Sequence, residues 1–443
     1  MPLDPILATL TNTLAALQPG GLCVAFSGGM DSSVLLHALA QLPDARQRGL
    51  RALHVDHGLR AESKAWAQHS AAFAARLGIA LDVVQVAVDQ TPGQGLEDAA
   101  RRARHAALGE MLQEGEILAL AHHRDDQAET VLLKLLRGAG PEGLGGMRTM
   151  RQFGKGYLWR PLLSMPRASL ATYADDNGLH WIYDPSNADT QLRRNFLRSE
   201  ILPRLTQRWP DASAALAHSA TWMRHAAAFI ETQALQALAA VRGLDPGTIA
   251  WARWLALPDA LRDPVLRLWL RDLNLDPPAH FHVTELERQL HDAAADRLPC
   301  VSWEQTQLRR YRDLLYAQCK QPPLPIEWRA VWDGSTLNLP CGGTLALRDA
   351  DGNDVGGQAL EVRLREGGEK LKLAGKTHTR ELRLLLQEAG VPPWQRARMP
   401  LIYAGSKLIA AGDLFLSQTA RELCARLRAQ ILWRTVDSGA PLR

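Results

Sequence analysis

Five cysteines in 443 residues, Cys23, Cys300, Cys319, Cys341 and Cys424, form no Cys-x-x-Cys pair and make an odd total. That excludes a disulfide framework, a four-cysteine metal site and a sulfur relay built on paired thiols. No apolar run reaches the roughly 18 residues of a membrane span, and Asp4 stands where a secretory signal would carry positive charge. A cytoplasmic protein without membrane contact is expected. Neither charge sign dominates, with 51 basic and 47 acidic side chains, and no internal repeat or low-complexity tract is present. What remains, 46% hydrophobic and 22% charged residues, is the composition of an ordinary globular chain, so disordered and fibrous readings fail. At roughly 150 residues per domain the length suggests about three domains.

The net charge of +4 is unevenly spread. Residues 1–200 hold 20 basic and 21 acidic side chains, 201–320 hold 14 and 13, and 321–443 hold 17 and 13. A basic terminal region permits a polyanionic partner such as RNA. Up to residue 140, apolar runs at 22–26, 50–55, 81–86 and 117–120 alternate with amphipathic stretches at about 31–42, 62–77, 96–113 and 126–136. That alternation predicts an α/β domain with a doubly wound parallel sheet. From about 201 to 320 the pattern turns helical and Ala/Leu/Arg-rich, and it ends at the proline cluster 321–325. Short strands near 337–348, 360–364 and 400–410 and a helix at 378–389 then predict a small α+β domain. The expected division is 1–205, 206–320 and 326–443.

The most informative segment runs from Leu22 through Ser27-Gly28-Gly29-Met30-Asp31-Ser32 into an apolar helix. A strand entering two glycines and then a helix aims backbone N–H groups and the positive helix end at one point, which binds phosphate. Ser27 and Ser32 add hydroxyl donors, and Asp31 can cap the helix or hold a metal. Two look-alikes fail: Gly138-Ala-Gly140-Pro-Glu-Gly143 follows a helix rather than a strand and reads as a loop, and Gly375-Lys376-Thr377 lacks the earlier glycine of a Walker loop.

Three further segments bring polar groups to strand ends, where open α/β sheets place ligands. His54, Asp56 and His57, in the run to Leu59 and Arg60, are candidate nucleotide contacts. Arg101 and Arg104 share a helix face suited to phosphate, and Glu97 lies one turn before Arg101. In His122-His123-Arg124-Asp125-Asp126-Gln127-Ala128-Glu129 three carboxylates crowd one turn, which a bound cation, Mg²⁺ or an ammonium group, would explain.

The Ser-Gly-Gly-x-Asp-Ser segment resembles the PP-loop of ATP pyrophosphatases. With Ala-His-His, Asp-Asp-Gln-Ala-Glu-Thr, Arg160-Pro161-Leu162, Asp184-Pro-Ser-Asn187, Arg194-Asn195, Leu197-Arg198 and, near the end, Val391-Pro-Pro-Trp394, the chain resembles the bacterial tRNA(Ile)-lysidine synthetases. Ser406 departs from that pattern, where the family often has an acidic residue. The resemblance implies a ligase forming a carbon–nitrogen bond. Its substrates would be ATP, L-lysine and the wobble cytidine of an isoleucine tRNA with a CAU anticodon, and its products lysidine, AMP and pyrophosphate, shifting codon reading from AUG to AUA. On that basis Ser27, Gly28, Gly29, Met30, Asp31 and Ser32, with His54, Asp56 and His57, are expected to hold the nucleotide. Asp31 and Asp125 would hold Mg²⁺, and Arg101 or Arg104 would steady the departing pyrophosphate. Asp126 and Glu129 would seat lysine, with His122 to orient it or relay its proton. Arg380, Arg383, Arg396 and Arg398 around Trp394 would offer charge and stacking to tRNA. Oligomeric state is left open, a homodimer included. A PP-loop thiolase would need the missing cysteine pairs, a small-molecule amide synthetase no basic terminal domain, and a nucleotide-sensing RNA-binding protein no anionic pocket.

Overall fold

A computed structural model describes residues 4–58, 62–87, 96–292, 298–325, 327–357 and 359–434. It divides into two compact units, residues 1–229 and 230–443.

The first unit is built on a six-stranded sheet: β1 (Leu22–Ala25), β2 (Arg51–Asp56), β3 (Ala80–Gln85), β4 (Ile117–Ala119), β5 (Met150–Phe153) and β6 (Gly156–Trp159). The spatial order is β3-β2-β1-β4-β6-β5, with only β5 antiparallel to its neighbour. The expected doubly wound sheet is therefore present. Helices Met30–Ala40, Ser63–Arg76, Leu96–Glu110 and Arg124–Leu135 follow β1 to β4 in turn. Leu22 and Val24 face the larger core, with Leu35, Leu36, Leu39, Trp159 and Tyr173, whereas Cys23 and Leu118 face a smaller one with Leu53, Leu108 and Leu112. Burial on both faces is why these short strands read as unbroken apolar runs. The chain leaves β1 toward β2 on one side, and β4 lies on the other, so the strand order reverses between β1 and β4. A crevice opens at such a point, beyond the carboxyl ends of the strands.

The β5–β6 hairpin is an addition to the sequence-based expectation. Its closing glycines are sterically required: a Cβ on Gly156 would lie 2.0 Å from the Glu116 carbonyl oxygen. Across the sheet, Arg51 on β2 grips the buried Glu116 through Nε and Nη2 at 2.7 and 2.6 Å, and Asp82 on β3 through Nη1 at 2.7 Å. Residues 141–144, expected as loop, form one helical turn with Pro141 at its start.

In the second unit, helices Asp259–Asp272 and His280–Asp292 pack with a four-stranded antiparallel sheet. That sheet holds Thr248–Ala250, Cys300–Trp303, Thr306–Tyr311 and Leu314–Cys319. The helical pattern expected up to residue 320 thus gives way to strands at 300–319. Beyond the prolines, five-stranded and three-stranded antiparallel sheets share a core of Leu345, Val362, Leu382, Leu401, Ile402 and Trp433. This is the expected α+β region.

Gly156→Ala is expected to destabilise the first unit by about 1–3 kcal/mol, because the added methyl meets backbone and not a movable side chain. Urea unfolding monitored by far-UV circular dichroism measures the loss.

Candidate active site at the strand-order reversal

The loop after β1 and the loop after β4 meet at the reversal. In the first, Gly28 has φ +79°, and a Cβ there would stand 2.5 Å from Ile182 Cδ1 and 3.0 Å from Ser70 Oγ. Glycine is thus needed for conformation and for space. Ile182 N–H donates to the Gly28 carbonyl at 2.8 Å. Gly29 caps the Met30–Ala40 helix without any side-chain cap, leaving its first N–H groups directed at the crevice. Ser32 Oγ donates to the Gly29 carbonyl at 3.0 Å and lies 3.1 Å from Ser27 Oγ. Met30 is buried in the core, so only its backbone serves the loop.

Of the residues after β2, His54 is buried and its Nδ1–H donates to the Phe26 carbonyl at 2.8 Å. It therefore props the phosphate loop from behind. Asp56 Oδ1 accepts from Gly58 N–H at 2.9 Å and fixes the following turn. His57 keeps a buried Nδ1 with no hydrogen-bond partner. Burial, then the Arg104 guanidinium, pushes its pKa down. Leu59 and Arg60 and the side chain of Glu97 lie outside the described residues. Arg101 and Arg104 are on the exposed side of the Leu96–Glu110 helix, and the field of Arg101 reaches His122.

After β4, His123 is the cap of the Arg124–Leu135 helix. Its Nδ1 accepts from Asp126 N–H at 3.4 Å, and Asp126 Oδ2 accepts from His123 N–H at 3.0 Å. The fully buried ring also faces the phosphate loop, with Nε2 3.7 Å from Asp31 Oδ2 and 3.4 Å from Asp126 Oδ2. Burial alone would lower its pKa, but the neighbouring carboxylates of Asp31, Asp126 and Asp125 raise it.

The three carboxylates of the acidic turn have separate fates. Glu129 is wholly buried, and it accepts from Arg194 Nε at 2.6 Å and Arg198 Nε at 2.7 Å. Asp126 Oδ1 accepts from Arg194 Nη2 at 3.1 Å and Arg198 Nη2 at 2.9 Å. Burial would raise the Asp126 carboxyl, but His123 and Arg194 hold it below the usual range. The chain's own arginine pair supplies positive charge to this turn. Asp125 stays 3.7 Å from His123 Nδ1 through Oδ2, which accepts from Arg167 N–H at 2.9 Å, while Oδ1 accepts from Ser213 Oγ at 3.0 Å.

For Mg²⁺ the fit is therefore unequal. Both Asp125 oxygens already accept a hydrogen bond, whereas Asp31 keeps a buried Oδ1 with no hydrogen-bond partner. One carboxylate beside substrate phosphates suits this ion. Among the described residues no three His, Cys, Asp or Glu side chains gather as a metal site.

His122 is half-buried, its Nδ1 accepting from Arg160 Nε at 3.2 Å. Burial brings its pKa down to about 3 against the pull of Asp126. Arg160, buried beside Arg151 and Arg101, comes down to about 10 and stays cationic.

Sequence reasoning assigned no role to Arg160, Arg194, Arg198 or His123. A signal existed for two of them: Arg194 and Arg198 are four apart, matching the three-residue spacing of Asp126 and Glu129. In the terminal region, Arg396 donates to the Val391 carbonyl and to Tyr311 Oη, at 2.6 and 2.7 Å. Arg398 donates to the Cys341 carbonyl at 3.0 Å and to the Pro322 carbonyl, while Arg380 pairs with Glu388 and Arg383 with Glu381. Trp394 packs edge-on against Tyr311 and Tyr316. The expected basic patch is, in large part, internal fastening.

A PP-loop domain model matches residues 4–205, a TilS substrate binding domain model 250–316, and a TilS substrate C-terminal domain model 360–433. A solved U34-tRNA thiolase from Methanococcus maripaludis is similar at 19% identity and TM-score 0.42, covering 50% of this chain and 78% of its own. The tRNA(Ile)-lysidine synthase of Pseudomonas aeruginosa is 42% identical, covering 94% of each chain. That of Xanthomonas campestris pv. campestris is 46% identical over 97% of this chain and 98% of its own. A match of that strength across nearly the whole of both proteins places this chain in the tRNA(Ile)-lysidine synthase family.

Proposed function

We propose that this chain is a ligase that joins L-lysine to C2 of the wobble cytidine in an isoleucine tRNA with a CAU anticodon. The observation that carries the reading is the meeting, at the β1–β4 reversal, of an uncapped glycine loop with a carboxylate–arginine cluster, His123 lying between them. In the first step the cytidine C2 oxygen attacks the α-phosphorus of ATP and pyrophosphate leaves. In the second, lysine's ε-nitrogen attacks C2, and AMP departs with the former carbonyl oxygen. Adenylation turns a poor leaving group into a good one.

The N–H groups at Gly29 to Ser32 and the hydroxyls of Ser27 and Ser32 hold the phosphates. Arg101 and Arg104 face the departing pyrophosphate. Asp31 is the carboxylate that would hold Mg²⁺, which when bound neutralises phosphate charge. Asp126, at the rim of the cluster, seats the lysine amine, and buried Glu129 acts by fixing Arg194 and Arg198. Carboxylates alone would stabilise ammonium against losing its proton; two adjacent guanidinium groups oppose that and favour the nucleophilic amine. His122 accepts from Arg160 through Nδ1, so its Nε2 carries the proton and orients substrate as a donor. A pKa of about 3 makes it a poor proton store near neutrality. Residues 206–320 and 326–443 are proposed as the tRNA-contacting domains.

Purified protein with ATP, labelled lysine and a CAU-bearing isoleucine tRNA transcript is expected to fix label on that tRNA and release AMP, with elongator methionine tRNA left unlabelled. Release of ADP refutes the scheme.

Asp126→Asn is expected to cut lysine incorporation by about a hundredfold or more through loss of its seat, while ATP affinity stays within about twofold. Equal loss of both would assign Asp126 to the nucleotide instead.

The sign of the His122 effect on stability is also fixed. Its folded pKa lies below the unfolded value of 6.5 at about 3, so the unfolded chain binds more protons between those limits. Stability from this group is complete above pH 6.5 and falls as pH drops through that window. Urea unfolding of His122→Gln should show a shallower loss between pH 7 and pH 5 than the parent.

A further inference from the structure

The Ala212–Val241 helix begins beside the acidic turn. Ser213, in its first turn, donates to Asp125, the neighbour of Asp126, and Arg224 donates from its side to the carbonyls of Gly145 and Met147 at 2.7 and 3.2 Å. Those contacts fix which way the helix is rotated. The face turned to solvent carries His218, Trp222, His225 and Phe229, at successive spacings of four, three and four residues. Such spacing makes one continuous stripe. Trp222 and Phe229 are 63% and 67% exposed, far above the usual state of side chains of this size.

The stripe is ordered as well as exposed. Trp222 Nε1 donates to His218 Nε2 at 3.0 Å, which satisfies the indole's only donor and fixes its plane. The imidazoles of His218 and His225 flank the indole with ring centroids 6.1 Å away on each side. Residues 190–229 hold six arginines against Glu200 and Asp211; with Arg194 and Arg198 committed to Asp126 and Glu129, the other four still leave this stretch a net positive charge. At 1.5 Å per residue, Trp222 lies about 14 Å and Phe229 about 24 Å along the axis from Ser213.

We infer that this aromatic stripe is the stacking platform for unpaired bases of the substrate tRNA's anticodon loop beside the reacting cytidine, an inference that rests on the proposed substrate. Exposed rings on a positively charged segment are what single-stranded nucleotides bind, through their π-faces and their phosphates. The distance suits it, since bases next to the reacting cytidine must leave the crevice within a few nucleotide lengths. A second copy of the chain is the poorer occupant. A twofold contact sets one surface against itself, so the net positive charge of this stretch would meet its own.

The test uses the full chain and its Trp222→Ala, Trp222→Phe and Phe229→Ala variants, titrated with the CAU-bearing transcript at matched salt. Trp222→Ala is expected to weaken tRNA binding about tenfold, and Trp222→Phe to recover most of it. Phe229→Ala should act in the same direction. Affinity for ATP stays constant, as does the slope of log affinity on log salt, because no phosphate-contacting cation is removed. Trp222→Ala and Phe229→Ala both binding like the parent would overturn the platform and leave the proposed reaction standing. A parent protein that binds no tRNA would overturn the reaction first. In sedimentation, a parent dimer dissolved by Trp222→Ala would assign the stripe to a second copy and also overturn the inference.

Discussion

The geometry of the active site depends on one buried interaction, the grip of Asp126 and Glu129 on Arg194 and Arg198. An isolated carboxylate as buried as Glu129 would lose several kcal/mol of hydration. Here both of its oxygens receive guanidinium N–H groups, and the Asp126 side chain is shared between the same two arginines. Such clusters add little stability over a well-packed apolar replacement. What this one adds is position, because the partners lie 65 to 72 residues apart in sequence. It pins the start of the Arg124–Leu135 helix to Arg194 and to the turn Leu197–Ile201, which is wound as a π-helix, an irregularity frequent at functional sites.

From that clamp the order of the site propagates inward. Asp126 is held at Oδ1 by the arginines and at Oδ2 by the His123 backbone, so the His123 ring cannot turn without breaking the capping box. The ring's outer nitrogen then sets how near Asp31 can approach, and Asp31 sits in the first turn of the phosphate-loop helix. The glycine loop after β1 and the acidic turn after β4 are thereby registered through one imidazole. The same wiring accounts for Gln127, whose amide brackets the Met147 backbone at 3.0 and 2.8 Å. A Cβ on Gly146 would collide with it at 2.8 Å.

What was legible in the sequence was local. The glycine loop declares itself because strand, turn and helix are contiguous, and the central strands β1 and β4 because burial on both faces makes them uniformly apolar. Legibility failed where the cause was distant. Three carboxylates in one turn correctly demand a cation, but nothing within the turn tells an arginine pair some 65 residues on from a bound ion. The strands at 300–319 were lost for another reason. Their buried positions, Val301, Trp303, Thr306, Leu308 and Leu315, alternate as strands should, but they share a region whose Ala/Leu/Arg composition comes from the helices before them. Composition has no period, and period is what separates the two structures.

Charge counting misled in the same way. Residues 321–443 hold the largest basic excess, yet much of it is used within the fold: Arg363 pairs with Glu361, Arg365 with Glu369, Arg380 with Glu388, and Arg396 and Arg398 donate to backbone carbonyls. An arginine bound to a carbonyl keeps its charge but loses the freedom to fork onto a phosphate. Net charge governs the long-range attraction of a polyanion, and the donors left uncommitted govern where it comes to rest. Steering and docking can therefore be served by different parts of one chain.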